Sequence, residues 1–309
     1  MKKTIIGGQA LIEGLMMIGP QNLAIAIRKP NDEIIVETKP LPPKNNLLKI
    51  PIVRGSIFYF RQMVLGFKAL MFSIEFVEFE NPKQNEPTKF DKFIETHFGS
   101  KSQDIIMYVS IIFAALFNIC LFILLPNLIA SLFQINNKIA SDRFLYNTIE
   151  GVVRVLILFG YIVLISRVKD IQRVYQYHGA EHKTIHCYEH GEKLAVENVK
   201  KYSTKHPRCG TSFLFIVVFI SIVVYSFLGS YNIFLNLLIR LALIPLVTGI
   251  SYEIIKIVGR CDWKIMNLVN YPGLFLQLFT TREPDEKQIE VAIASFKGVL
   301  VPDINADKW

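Results

Sequence analysis

Long stretches of this sequence carry no charge. Only 19% of its 309 residues are Asp, Glu, Lys or Arg, and none falls between Ile105 and Asn137 or between Cys209 and Ile239. Cysteine is sparse too, at four residues. Glycine and proline, at 17 and 14, are ordinary, and together with a 51% hydrophobic content they exclude a collagen-like or disordered chain. There is no internal repeat and no low-complexity tract. The Walker A loop, the G-x-S-x-G elbow and the dinucleotide glycine fingerprint are all missing. Phosphate-loop, serine-hydrolase and nicotinamide readings therefore have no residues to rest on.

The first uncharged run is long enough to cross a bilayer, because a hydrocarbon core of about 30 Å needs roughly 20 residues at 1.5 Å each. We expect spans at about 105–125 and, in the second run, at 213–228. A weaker candidate follows each of them: 144–166, which contains Glu150 and Arg154, and 232–252, which contains Arg240. The rival reading of the weaker pair is two buried helices of a soluble core, and topology argues against it. Of 34 Lys and Arg residues, 30 lie in segments 1–104, 166–210 and 253–309, while the intervening outer segments hold two. The positive-inside rule then puts both termini and the 166–210 loop in the cytoplasm. The expected fold class is a mainly α integral membrane protein with about four transmembrane helices. Its net charge of +8 becomes a topology signal, and with a mean hydropathy of +0.36 it gives no case for DNA as a partner.

Residues 1–50 read as a small β-rich cytoplasmic module, with strands at Leu23–Arg28 and Ile34–Thr38 around the turn-forming Pro30-Asn31-Asp32. Gly7, Gly8 and Gly14 suggest tight turns. Lys2 and Lys3 before an apolar stretch imitate a signal peptide, but Gly7, Gly8, Gly14, Gly19 and Glu13 interrupt it, so no cleavage is expected. Pro40, Pro42 and Pro43 make a stiff connector. Within 51–104, Ile52–Phe79 has the content of a helix, with Arg54, Arg61 and Lys68 seven apart. It is either an interfacial helix on the membrane or an amphipathic helix packed on the protein's own domain. Pro82–Ser100 is a polar linker. The membrane domain, 105–252, includes the cytoplasmic loop 167–210, in which Arg167–His190 can continue the second span until Gly191, followed by a short helix at Ala195–Tyr202. In the tail, 253–309, Pro284–Leu300 is amphipathic, with Pro284 in its first turn and Ile289, Ala292, Ile293, Phe296 and Leu300 on one face. Glu150, Arg154 and Arg240 need partners inside the membrane. A buried ion-pair cluster is the expected arrangement and a transport pathway its rival.

The sharpest chemical feature is His178-Gly179-Ala180-Glu181-His182. At about 100° per residue the two histidines and the glutamate share one arc of a helix. Imidazoles at i and i+4 can chelate one divalent metal ion, zinc above all, with Glu181 as general base toward water, as in the H-x-x-E-H arrangement. Candidates to complete the ligand set are His206 and Cys209, three apart beside Pro207, and Glu253, 71 residues beyond His182. His186 and Glu189 continue the same helix face. Two alternatives stand beside this reading: a closed structural zinc site made by His178, His182, His206 and Cys209, and a surface His/Glu cluster that holds no metal. Cys187, Cys209 and Cys261 face a reducing compartment and read as free thiols or ligands, while Cys120 lies in a span.

Four separated motifs resemble those of the bacterial YqhQ family: Gly7-Gly8-Gln9-Ala10-Leu11-Ile12-Glu13-Gly14 with Met16-Met17 and Gly19-Pro20; Tyr177-His178-Gly179-Ala180-Glu181-His182-Lys183; His206-Pro207-Arg208-Cys209-Gly210-Thr211-Ser212; and Thr280-Thr281-Arg282-Glu283-Pro284. The resemblance covers nearly the whole chain. It implies a multi-pass protein of the bacterial cytoplasmic membrane, of a family described as predicted metal-dependent enzymes with a link to protein synthesis or membrane-protein biogenesis. The leading expectation is a metal-dependent hydrolase of a peptide or lipid-linked substrate, with Glu181 catalytic and metal ligands drawn from His178, His182, His206, Cys209 and Glu253. The second is a non-enzymatic factor near the translocon or ribosome, with a structural zinc. The third is a transporter, which four spans without a repeat serve poorly.

Overall fold

The computed structural model describes residues 3–42, 46–76, 102–136, 143–228, 233–260, 264–302 and 306–307. The expected linker Pro82–Ser100, Pro43, Cys261 and the outer segment 229–231 lie outside the described residues. The chain divides into two units: Met1–Val77 with Phe159–Tyr225 and Tyr231–Trp309, and Glu78–Leu158 with Ser226–Ser230.

In the first unit the N-terminal segment forms an antiparallel meander of four strands in chain order, β1 (Gly7–Leu11), β2 (Gly14–Ile18), β3 (Asn22–Arg28) and β4 (Ile34–Pro40). Only the last two were expected. Gly7, Gly8 and Gly14 sit within strands, and the β1–β2 turn is made instead by Ile12 and Glu13, with Glu13 at φ 52. The period of two sorts the strands cleanly: Leu15, Met17, Ala24 and Ala26 face one way, and Leu11, Met16, Leu23, Ile25 and Ile27 the other. Both faces are buried, so β2 reads as a continuous apolar run rather than an alternating one, which hid it in the sequence.

The first face is covered by α5 (Lys169–Glu189) and by the C-terminal helix α11 (Glu286–Val299), through Ile289, Ala292 and Phe296. A capping box starts α11: the Asp285 carboxylate accepts the Gln288 N–H at 2.7 Å and the Gln288 side chain accepts the Asp285 N–H at 3.0 Å. Pro284 therefore precedes the helix instead of occupying its first turn. The helix stops at Val299, which leaves Leu300 37% exposed where the amphipathic pattern had buried it.

The second face is covered by α1 (Val53–Ile74) through Ala69, Leu65, Leu70 and Phe72. Of the two readings of this helix, packing on the protein's own sheet describes its second half. Its first half crosses α9 (Ile244–Arg260) at Gly55 and Gly249, where a Cβ on Gly55 would stand 2.6 Å from the Tyr252 Cβ. Arg54 and Glu253 pair across this crossing, with Arg54 Nε 2.6 Å from Glu253 Oε1.

Among the described residues, four helical segments are long and apolar enough to cross a membrane: Val53–Ile74, Ile112–Leu132, Leu145–Ile165 and Phe234–Gly259. Three of them overlap the expected spans 105–125, 144–166 and 232–252. The third expected span corresponds to α7 (Gly210–Ser226), which at 17 residues is a shorter apolar helix, and the fourth candidate is α1. The last of them is broken at Leu243 into α8 (Ile233–Ala242) and α9, one residue before Ile244-Pro245. The helix expected to run unbroken out of the second span also divides. Helix α4 (Arg143–Ile165) ends, Val168 is extended at ψ 128, and α5 begins anew at Lys169. Between α5 and α7 the expected short helix is one turn, α6 (Val196–Val199). Helix α10 (Lys264–Thr280) precedes α11.

The second unit contains α2 (Ser102–Ile119), a π-helical turn at Cys120–Leu124, α3 (Leu125–Asn136) and the first part of α4. Arg154 is buried here. It donates to Glu150 Oε1 at 2.6 Å and, through Nε, to the Phe122 carbonyl at 3.0 Å in the π turn. Widened i→i+5 spacing frees such carbonyls for side-chain donors. Arg240 belongs to the first unit, where its guanidinium lies 5.2 Å from the Tyr225 ring centre.

Candidate metal centre

The centre is built on the second half of α5. Residues 177–189 of this helix are almost all buried, because one side meets the sheet and α11 while the strand-like return from Ser203 to Cys209 runs along another. Two glycines permit the crowding. A Cβ on Gly179 would lie 2.0 Å from the Arg282 carbonyl, and a Cβ on Gly8 would lie 2.7 Å from the Met16 carbonyl and 3.1 Å from the Glu181 carboxyl carbon.

These contacts draw all four motifs to one place. The Gly8 N–H donates to Glu181 Oε1 at 2.8 Å. Glu13 takes Arg173 and, at 3.3 Å, the Tyr177 hydroxyl. Arg282 donates its backbone N–H to the Tyr175 carbonyl at 2.9 Å, and Glu283 pairs with the buried Lys183. The side chain of Gln277 brackets His206 through two backbone bonds, at 2.8 and 2.9 Å.

Within this frame His178, His182 and Cys209 converge, their ligand atoms within 4.8 Å of one another. Each imidazole has one nitrogen engaged by a main-chain carbonyl: His178 Nδ1 is 2.8 Å from Thr280 O, and His182 Nδ1 is 2.5 Å from Thr204 O. A carbonyl accepts only, so both Nδ1 atoms carry a proton and Nε2 is the ring nitrogen left to ligate an ion, on His178 after loss of the proton it shares with Cys209. His178 Nε2 faces Cys209 Sγ at 3.1 Å. His182, 1% exposed, has no hydrogen-bond partner for its Nε2 among the described residues. Two imidazole nitrogens and a thiolate sulfur this close together are a zinc-type donor set, in which an ion would displace the proton between His178 and Cys209.

Electrostatics bind the three together. Burial alone would lower the His178 pKa, but the adjacent Cys209 sulfur outweighs it and raises it to about 9. Burial alone would raise the Cys209 thiol, yet His178 and His182 hold it well below the ordinary value, in its ligating thiolate form. Burial raises the Glu181 carboxyl, with the two imidazoles opposing.

A second group lies further along the helix: His186, Glu189 and His206 also bring their ligand atoms within 4.8 Å of one another. His206, expected beside Cys209 in the first set, is thus gathered with His186 and Glu189, although its ring centre is 5.6 Å from that of His182. Glu253 is corrected more sharply. It pairs with Arg54 at the α1–α9 crossing and belongs to neither donor group, because a similar sequence separation does not make it a neighbour in this topology. What the sequence concealed is the supporting shell of Thr204, Thr280 and Gly8, which act through backbone atoms and have no side-chain signature. The His186 and Glu189 grouping was foreshadowed by the i+4 and i+3 continuation of the helix face.

The family model described as "Protein of unknown function (DUF1385)" matches residues 50–301. The chain belongs to this family. It is also similar to the "Uncharacterized protein YqhQ" of Bacillus subtilis (strain 168), with 36% identity over 302 residues covering 95% of this chain and 92% of that protein. No solved structure matches the chain. The family membership inferred from the four motifs is therefore borne out, and the fold shows why they occur together: they are four walls of one centre.

Proposed function

We propose that this chain is a membrane-embedded metalloprotein in which His178 Nε2, His182 Nε2 and Cys209 Sγ hold one divalent ion, zinc by donor type, and that the centre hydrolyses a peptide or lipid-linked substrate on the cytoplasmic side. The observation that carries the reading is the buried Nε2 of His182, which has no well-formed hydrogen bond among the described residues and stands within ligand distance of the His178 imidazole and the Cys209 sulfur. Leaving such an acceptor unsatisfied in the interior costs about 1–3 kcal/mol, which a bound cation offsets. When bound, the ion supplies Lewis acidity beside the carboxylate of Glu181. Glu181 Oε1 is occupied by the Gly8 N–H, which orients the group and leaves Oε2 to take a proton. Burial raises its pKa toward the range useful for a general base.

The bilayer is the partner that the apolar helices fit. The basic residues concentrated in the N-terminal, 166–210 and C-terminal segments favour a cytoplasmic centre. Helix α1 fits a covering role better than a crossing one, since its second half is occupied by the sheet and Phe60, Met63, Val64 and Phe67 are exposed away from it.

Metal analysis of the detergent-purified full chain tests the core of the proposal. At least one equivalent of zinc is expected, lost in His182→Ala, and metal-free wild type would refute it. The second reading is a structural zinc in a membrane-protein biogenesis factor, favoured by the depth at which the donors are buried. Glu181→Gln separates the two: cellular function is lost in a hydrolase and kept in a scaffold.

A further inference from the structure

We infer that the chain holds a second divalent cation, of the zinc class, between His186 Nδ1, Glu189 Oε2 and His206 Nε2, separate from the centre formed by His178, His182 and Cys209. The donor atoms identify it. His186 Nε2 is 2.9 Å from the Lys205 carbonyl, so it carries the proton and leaves Nδ1 as the lone pair. Glu189 is 1% exposed and uses only one oxygen for fixed contacts: Oε1 accepts the Thr4 N–H at 2.8 Å and pairs with Arg208. Its other oxygen, Oε2, has no well-formed hydrogen bond among the described residues, and neither does Nε2 of His206, itself 4% exposed. Each has the other as its near neighbour, and a buried pair without a well-formed bond is rare in a folded protein.

Their spacing discriminates between the explanations. Glu189 Oε2 and His206 Nε2 are 3.5 Å apart, longer than an ordinary N–H···O bond of about 2.9–3.0 Å. Two donors bonded to one tetrahedral zinc at about 2.0–2.1 Å stand about 3.4 Å apart, which is nearly the separation observed. On the other side of the His206 ring, Nδ1 accepts the Arg208 N–H at 3.3 Å, which leaves the proton on Nε2, so an ion at Nε2 would require that proton to leave or to move to Nδ1 with the opening of this long contact. The anchoring of Glu189 Oε1 by Thr4 and Arg208 fixes the direction of Oε2, as carboxylate ligands commonly require. An ion here ties three separate stretches together: α5, the 203–209 return and, through Glu189, the N-terminal segment at Thr4, whose hydroxyl also bonds to Asp307 at 3.1 Å. The rival is a plain His206 to Glu189 hydrogen bond with no ion.

Cobalt(II) titration of the apo full chain in detergent distinguishes them, because only the centre with Cys209 gives a sulfur-to-cobalt charge-transfer band. Two equivalents are expected in the wild type. His186→Ala, a change at a half-buried position, should lower the count to one with the band intact, and Cys209→Ser should lower it to one without the band. A single equivalent with the band in the wild type overturns the second site and leaves the first standing. Two equivalents retained in His186→Ala place the extra ion elsewhere and also overturn it. Loss of the band in His186→Ala would mean the two groups act as one site, which refutes separateness, and no cobalt at all removes both sites.

Discussion

Buried charge is handled in two opposite ways in the two units of this chain. In the second unit the Arg154 guanidinium meets the Glu150 carboxylate and the Phe122 carbonyl, so the buried cation has an anion and an acceptor beside it. In the first unit His178 and His182 spend their Nδ1 protons on carbonyls and gather with Cys209, which leaves the buried Nε2 of His182 without a well-formed hydrogen bond among the described residues. A matched pair satisfies itself and is structural. A set that leaves a buried acceptor over has room for a cation from outside, and that difference separates a matched ion pair from a candidate metal centre even though both are i,i+4 pairs on helices.

The contrast breaks if the acceptor-rich set proves indifferent to metal. The largest expected effect is in His182→Ala, which should lose the ion of the first centre entirely, read by metal content after gel filtration. Next comes the matched pair. Arg154→Met should destabilise the protein by about 3–5 kcal/mol by stranding Glu150, and adding Glu150→Leu should recover most of that loss, measured by thermal unfolding in detergent. If the double variant is no better than the single one, the pair has a role beyond mutual neutralisation.

A pH experiment sharpens the contrast further. Burial is the leading influence on His206 and lowers its pKa from 6.5 to about 4, against the opposing pull of Glu189. The unfolded chain takes up this proton near 6.5, and the native state does not until about 4. Stability of the chelated protein is therefore whole above the higher value and falls as the pH drops through that window, by on the order of 3 kcal/mol. His206→Phe should flatten the slope, and an unchanged slope would place the proton uptake elsewhere. The smallest effect on stability and metal content is expected for Glu181→Gln, which preserves the bond from the Gly8 N–H through the amide oxygen. It should bind metal as the wild type does while losing hydrolysis, and loss of metal instead would make Glu181 a ligand.

How much of this was legible depends on the range of the interactions. Apolar runs are local, so the mainly helical fold and three of the four apolar segments could be read directly. The period of α5 put His178, Glu181 and His182 on one arc, and the pattern of α11 marked Ile289, Ala292 and Phe296 before any packing was known. Strand β2 was hidden because a sheet covered on both faces loses its alternation, and β1 because Gly7-Gly8-Gln9 carries no apolar pattern. Helix α1 was ambiguous because composition does not say whether an apolar face meets lipid or a sheet.

The sequence by itself determined which residues could serve as ligands and which helix face would carry them. Only the tertiary structure decided which of them meet: Cys209 with His178 and His182, His206 with His186 and Glu189, and Glu253 with Arg54. The physical reason is that helical periodicity fixes neighbours within one turn or two. The 203–209 return, the Thr280 carbonyl and the Gly8 amide reach α5 from positions 22, 102 and 173 residues away, with close backbone contacts at Gly8 and Gly179.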